Sequence, residues 1–436
     1  MSNVIRRIGL ISSIAVLLTA LTVHAGPPEP YQLDNGLTVI LRPVSGANQV
    51  AVVLLFNLGG DHDPAGKSGR AHLLEHLYCT AGAGDTPARD FAQIQTRYVA
   101  GYNQQTGHDF TVLAGVVNAE ELEEELKDAA ARMGALHITD ADLKREVPRV
   151  LVELSNMYDG IPSLAGLNHV RMGLHPIQQG GRHGGNAESI QTLALNELQE
   201  LWQDQYKPNN AILVLAGKFD VTKVRKLVQQ RFGPIPSGKA PPTMPLQPEG
   251  KTGITFRIKV KPVVQKAISV VSVGYAAPLP GSRDYAPFLL VVSRLWALSQ
   301  NTPPDQVPPV FYPPLDDPTT IALQAALPDR KDAESVLNQL DQRLQEALTP
   351  KLNPQDKLLA INSMAMFLGT VDMPDAMWAQ NLYGLSFSVG RRYQLKICGN
   401  ELCATIQRTT DGDMQRLAAT VFAPEKRITA IVEVEK

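Results

Sequence analysis

Between Gly233 and Gly253 the chain sets prolines at positions 234, 236, 241, 242, 245 and 248, with glycine and lysine between them. Proline fixes φ and removes a backbone donor, so neither a helix interior nor a central strand runs through such a stretch. It reads as a linker, and the order of elements restarts beyond it. Ahead of the linker, the pattern predicts a strand pair over Tyr31–Arg42 turned at Asn35–Gly36, and a continuous apolar strand over Gln49–Leu58. Helical spacing follows over Glu120–Leu136, Asp140–Tyr158 and Glu188–Gln205, then an apolar strand over Ala211–Gly217 and a helix over Thr222–Phe232. Past the linker come a strand over Ile254–Val260, a second over Ala267–Tyr275, a loop with Pro278, Pro280 and Gly281, and a helix over Tyr285–Leu298. The echo lies in element order, not in residues. It reads as a degenerate internal repeat, with two unrelated α+β domains as the alternative.

A chain of 436 residues is longer than one hydrophobic core supports, which agrees with two domains. Hydrophobic residues at 44% and charged residues at 19% fit a globular protein and argue against collagen-like or disordered classes. Lys and Arg total 41 against 43 for Asp and Glu, so there is no basic footprint for nucleic acid. Arg6 and Arg7, the apolar run Ile8–Val23 and the Val23-His24-Ala25 boundary read as a secretory signal peptide. The run is shorter than the roughly 20 residues that span a bilayer. The expected organisation is therefore a signal peptide over 1–25, a first domain over 26–235, the linker over 236–253 and a second domain over 254–436. After cleavage no membrane association is expected, and the compartment is the periplasm or the exterior.

In Ala71-His72-Leu73-Leu74-Glu75-His76-Leu77 the histidines stand four apart, which on a helix puts both rings on one face. That spacing suits one Zn²⁺, which in a catalytic site takes three protein ligands and a water. Glu75 lies beside the pair without being a ligand, where a general base for that water belongs. The third ligand is expected on another helix. Glu153 lies 77 residues after His76, and Glu146 seven before Glu153, on one helical face. Val147, Val150, Leu151 and Val152 crowd this segment with apolar groups and suggest burial, and buried carboxylates need a partner. Glu153 is read as the ligand and Glu146 as the residue that orients it. Cys79 reads as a small buried apolar residue rather than a ligand. Cys398 and Cys403 flank a Gly-Asn turn, leaving open either a small disulfide or two thiols.

His72, Glu75, His76, Glu146 and Glu153 at these spacings resemble the insulinase/pitrilysin family of zinc peptidases, whose His-x-x-Glu-His signature is the inverzincin motif. Asn103 in Gly101-Tyr102-Asn103-Gln104-Gln105-Thr106 is similar to the family's Asn-Ala-x-Thr strand edge lining the substrate cleft, and Thr111 to its later threonine. Gln104 and Gln105 depart from that pattern, and Asp109 stands where a glutamate is usual. His175-Pro176, Glu188-Ser189-Ile190 and Tyr206-Lys207-Pro208-Asn209-Asn210 follow in the family's order. The resemblance implies two homologous α+β domains, each a mixed sheet covered by helices, forming one half of a clamshell. It also implies a zinc-dependent endopeptidase acting on peptides, and a dimer with a homologous subunit or a second copy. A non-catalytic assembly subunit is the alternative. Family members with a complete site carry an Arg and a Tyr seven residues apart in the second domain. Here Tyr312 stands for the tyrosine in substrate binding, but no arginine precedes it by seven. Arg391, Arg392 and Tyr393 are the available substitutes, and they read as surface groups.

Overall fold

The computed structural model describes residues 29–156, 160–175, 184–240, 253–263, 267–299, 310–328, 332–368 and 373–435. The segment read as a signal peptide and most of the stretch read as a linker lie outside them. Among the described residues, no helix is long and apolar enough to cross a membrane.

Among the described residues, thirteen strands form two large sheets and one small one. The first sheet has the order β1-β2-β8-β3-β6-β5, with β1 at Tyr31–Gln32, β2 at Thr38–Pro43, β3 at Gln49–Phe56, β5 at Ala100–Thr106, β6 at Thr111–Asn118 and β8 at Ala211–Gly217. Short strands β4 (Gly82–Ala83) and β7 (Leu136–His137) pair separately. The second sheet has the order β11-β12-β10-β13-β9, with β9 at Thr255–Val260, β10 at Val270–Ala276, β11 at Val310–Phe311, β12 at Thr320–Ala326 and β13 at Ile428–Val434.

Matching β2 to β9, β8 to β13, β3 to β10, β6 to β12 and β5 to β11 superimposes the two orders. The directions agree too: β2 runs parallel to β8 and β9 to β13, and every other pair in the large sheets is antiparallel. The repeated element order is thus a repeated topology, and the fold is α+β with two like halves. Arg70–Thr80 follows β3 as Tyr285–Leu298 follows β10. The second of these helices buries Phe288, Leu289, Leu290, Val291 and Val292 where the first carries His72, Glu75 and His76, so it packs the core and offers no such donors.

Each sheet covers one face with its own half's helices. On the first sheet these pack Leu73, Leu77, Leu126, Met133, Val150, Leu198 and Val228 into one core. The other face takes a helix from the opposite half. Leu382–Gln394 lies on β3 and β8, with Trp378, Leu382, Leu385 and Val389 packed on Val53, Leu55 and Val214. In exchange, Pro162–Leu174 lies on β10 and β13, with Leu167, Val170 and Leu174 against Ala322, Ile428 and Ala430. Arg171 of this helix pairs with Asp317 of the second half at 2.8 Å, both side chains buried.

Glu188–Gln205 is two helices, Ala187–Gln191 and Leu195–Gln205, rather than one. Thr192 closes the first by donating from Oγ1 to the Ser189 carbonyl, and Glu197 opens the second by accepting from the Ala194 N–H. Asp140–Leu154 starts at a capping box between Thr139 and Asp142, so Pro148 sits well inside it rather than at its start. Pro148 is exposed. Pro148→Ala would restore the N–H for the Lys144 carbonyl and is expected to stabilise the chain by about 1–3 kcal/mol, net of the greater freedom of the unfolded chain. Thermal and urea melts check it; a destabilised variant would mean the proline sets a bend that other contacts require.

Candidate active site

The histidine helix, Arg70–Thr80, buries nine of its eleven residues, His72 and Glu75 among them. Its first N–H groups have no capping side chain at Gly69. Instead Asp63 reaches in, Oδ2 accepting from Gly69 N at 2.8 Å and Oδ1 from Ala71 N at 3.0 Å, which also sets a carboxylate at the positive end of the helix dipole.

Gly69 takes φ +94, and a Cβ on Gly185, itself at φ +93, would lie 2.3 Å from the Gly69 Cα. Only two glycines allow this contact between backbones. It brings the Gly184 carbonyl to 3.0 Å from His72 Nδ1. With Nδ1–H donating there, the His72 Nε2 lone pair is presented on the other side of the ring.

The carboxylate helix, Asp140–Leu154, packs against the histidine helix and offers Glu146 and Glu153 to it. Glu153 Oε1 lies 3.8 Å from His72 Nε2, and Oε2 lies 3.4 Å from His76 Nε2. Among the described residues, His72, His76 and Glu153 form the one group of three donor side chains whose ligand atoms all lie within 4.8 Å of one another. A tetrahedral zinc with bonds near 2.0–2.1 Å sets its ligand atoms about 3.3 Å apart, so the three donors fit that ion with a small contraction.

Charge points the same way. Burial works to lower His76, but Glu146, Glu153 and Glu75 outweigh it and raise the ring to about 10. Burial likewise opposes ionisation of Glu146, yet His76, Arg145 and Arg149 hold that carboxyl at about 2. Arg145 and Arg149 neutralise Glu146, which leaves Glu75 and Glu153 facing the two imidazoles; with both rings neutral, as ligands must be, a dication would balance those two carboxylates.

The segment is less uniformly buried than its apolar residues suggest. Glu146 is 1% exposed, held by Arg145 at 2.8 Å and Arg149 at 3.0 Å, with His76 Nδ1 3.6 Å away. The Glu153 side chain is 45% exposed and Val152 63%. The helix turns Glu146 into the core and leaves Glu153 at the open side of the cluster.

Glu75 is buried, and burial raises its carboxyl above the ordinary range, although His72, His76 and Thr106 act to lower it. Thr106 Oγ1 donates to Glu75 Oε2 at 2.7 Å. Asn103, three residues earlier on β5, faces the opposite side of the sheet and donates from Nδ2 to Tyr383 Oη at 2.9 Å. Thr111 donates to the Leu58 carbonyl.

Tyr312 is not brought to the cluster. It is 3% exposed inside the second core, edge-on to Phe288, because the short strand β11 directs it inward. The surface reading of Arg391 is also overturned. Arg391 is fully buried, lies over Phe110 at 4.1 Å, and makes a two-pronged pair with Asp109 at 2.9 and 3.3 Å. The departure at Asp109 therefore has a partner. Cys79 is buried, its thiol pushed up to about 12, and no disulfide joins Cys398 to Cys403. Gly184 and Asp63 were missed in the sequence, and Thr106, which falls on the threonine of the Asn-Ala-x-Thr resemblance, was given no role there. For Gly184 and Asp63 the signals available were the Gly184-Gly185 pair and the Asp63 position six residues before Gly69.

A family model described as the peptidase M16 inactive domain matches residues 192–295. The zinc protease PqqE of Helicobacter pylori is 27% identical over 292 residues, 65% of this chain and 64% of that protein. The mitochondrial-processing peptidase subunit beta of Saccharomyces cerevisiae is 23% identical over 278 residues, 60% of this chain and 58% of that one. The chain thus spans less than two thirds of the length of these curated relatives. Among solved structures, a protease from Helicobacter pylori aligns with a TM-score of 0.76 at 21% identity, covering 94% of this chain and all of that one. The periplasmic protease PqqL from Escherichia coli aligns at a TM-score of 0.68 and 15% identity over 93% of this chain but 47% of its own length. At such identities the structures speak to the fold, which is that of one clamshell half. Topology, spacing and relatives converge on one likeness: the chain is similar to the peptidase M16 family, the insulinase/pitrilysin group, in fold and in the order of its landmark residues.

Proposed function

We propose that this chain is a zinc-dependent endopeptidase for peptides and small unfolded polypeptides, with His72, His76 and Glu153 holding the metal and Glu75 as general base. The observation that carries the reading is the convergence of those three donors within 4.8 Å, on two helices that also present the buried Glu75. A zinc ion held there supplies a Lewis acid that acidifies water and polarises a scissile carbonyl.

The rest falls to the protein. Glu75, its proton affinity raised by burial, takes a proton from the attacking water and returns it to the leaving amine. Gly184 and Glu146 fix the two imidazoles. Among the described residues, β5 is the last strand of its sheet, with one edge open to an extended peptide lying beside it. Asn103 serves that strand through its backbone, since its side chain is engaged by Tyr383.

We further propose that the active assembly is a pair of half-shells, formed with a homologous subunit or a second copy, and that the chain is exported by its first 25 residues. PqqL supports the pairing: it accommodates a unit of this size in 47% of its length. The limits 26–235 and 254–436 describe the zinc-bearing and degenerate units. Molecular mass in solution, with activity of the chain alone against mixtures, separates the partner schemes.

A non-catalytic assembly subunit is the competing reading, favoured by the inactive-domain match. That match begins at residue 192, after every donor residue, and so leaves the donor set untouched. Stripping zinc with a chelator should abolish hydrolysis and added zinc should restore it. Glu153→Ala is expected to weaken zinc binding by at least about 10–100-fold while the melting temperature of the zinc-free chain stays unchanged. Metal retained at wild-type affinity would remove Glu153 from the ligand set.

A further inference from the structure

Thr106 is unclaimed by the metal chemistry, yet among the described residues its hydroxyl is the one hydrogen-bond donor to Glu75, at 2.7 Å, with both side chains buried. This bond commits one oxygen of the carboxylate and biases its orientation. Oε1 is left for proton exchange.

The position of that hydroxyl depends on the strand that carries it. Along β5, Tyr102 lies beside Cys79 and Thr106 beside Glu75, so alternate residues meet the histidine helix while Asn103 meets Tyr383 behind the sheet. The turn after Thr106 is anchored from both halves. Asp61 holds His108 at 2.9 Å, Arg391 grips the Asp109 carboxylate, and Gln394 donates to the Asp109 carbonyl at 3.1 Å. The second half, stripped of donors itself, thus sets where Thr106 stands.

We propose that Thr106 is a positioning residue for Glu75, tying the orientation of the base to the open strand edge along which a peptide would pair. This rests on the peptidase reading above. A bond that merely satisfies a buried carboxylate predicts something else: its loss would lower stability and leave turnover intact.

Thr106→Val keeps the shape and removes the donor, and Thr106→Ser returns it. With a quenched fluorogenic oligopeptide as probe, the valine variant is expected to lose about 10–100-fold in kcat with KM near wild type. Zinc affinity, measured by chelator competition, should be unchanged, and the serine variant should recover most of the rate. Should valine unfold the hairpin, Thr106→Ala gives the same comparison. A valine variant with wild-type kcat beside an inactive Glu75→Gln overturns the inference and leaves the peptidase reading standing. A wild-type chain that binds zinc and cleaves nothing, either alone or mixed with a homologous subunit, overturns both.

Discussion

Glu75→Gln is expected to keep about one zinc per chain while peptide hydrolysis falls by about 10²–10⁴-fold. Glutamine nearly matches glutamate in volume and can still accept from Thr106, so the fold and the three donors should survive. What it cannot do is take a proton from water at neutral pH. The zinc-free variant should fold at least as well, since burial opposes ionisation of Glu75 and glutamine carries no charge to bury. Metal content by mass spectrometry and hydrolysis must be read on the same preparation. Zinc lost together with activity would make Glu75 part of the metal site, and activity retained would remove the general base altogether.

The donor set was legible in the sequence because it is local. His72, Glu75 and His76 share one helix, and Glu146 and Glu153 another, so helical spacing alone put each group on one face. Depth was not legible. Val147 to Val152 suggested burial throughout, whereas the helix is only half sunk and Glu153 stands at its exposed end. The supporting contacts were illegible for a different reason: they bridge large gaps in the chain. The Gly184 carbonyl lies 112 positions from His72 and Arg391 lies 282 from Asp109. Nothing in the residue pattern told which sheet Pro162–Leu174 or Leu382–Gln394 would cover, because an apolar stripe names no partner. Tyr312 failed differently. A tyrosine at the end of a short strand reads alike whether it faces a cleft or a core, and here Phe288 and the second core claim it.

The exchanged helices give the second large effect. Asp317→Ala is expected to destabilise the chain by about 3–5 kcal/mol, since it leaves Arg171 buried without its counter-ion at the seam between the halves. Burial opposes ionisation of Asp317, but Arg171 first, then His108 and the Thr319 hydroxyl, outweigh it and hold the carboxyl at about 2. The folded value lies below the ordinary unfolded value of about 3.9. Its contribution is therefore fully present above about pH 4 and is lost as pH falls toward 2. Urea melts of wild type and Asp317→Asn should accordingly differ most above pH 4 and converge in acid. Adding Arg171→Met to Asp317→Ala should recover much of the loss, because the uncompensated guanidinium goes with it. If the double variant is no better than the single, the pair is not what joins Pro162–Leu174 to the second sheet, and the apolar contacts of Leu167, Val170 and Leu174 carry that seam unaided.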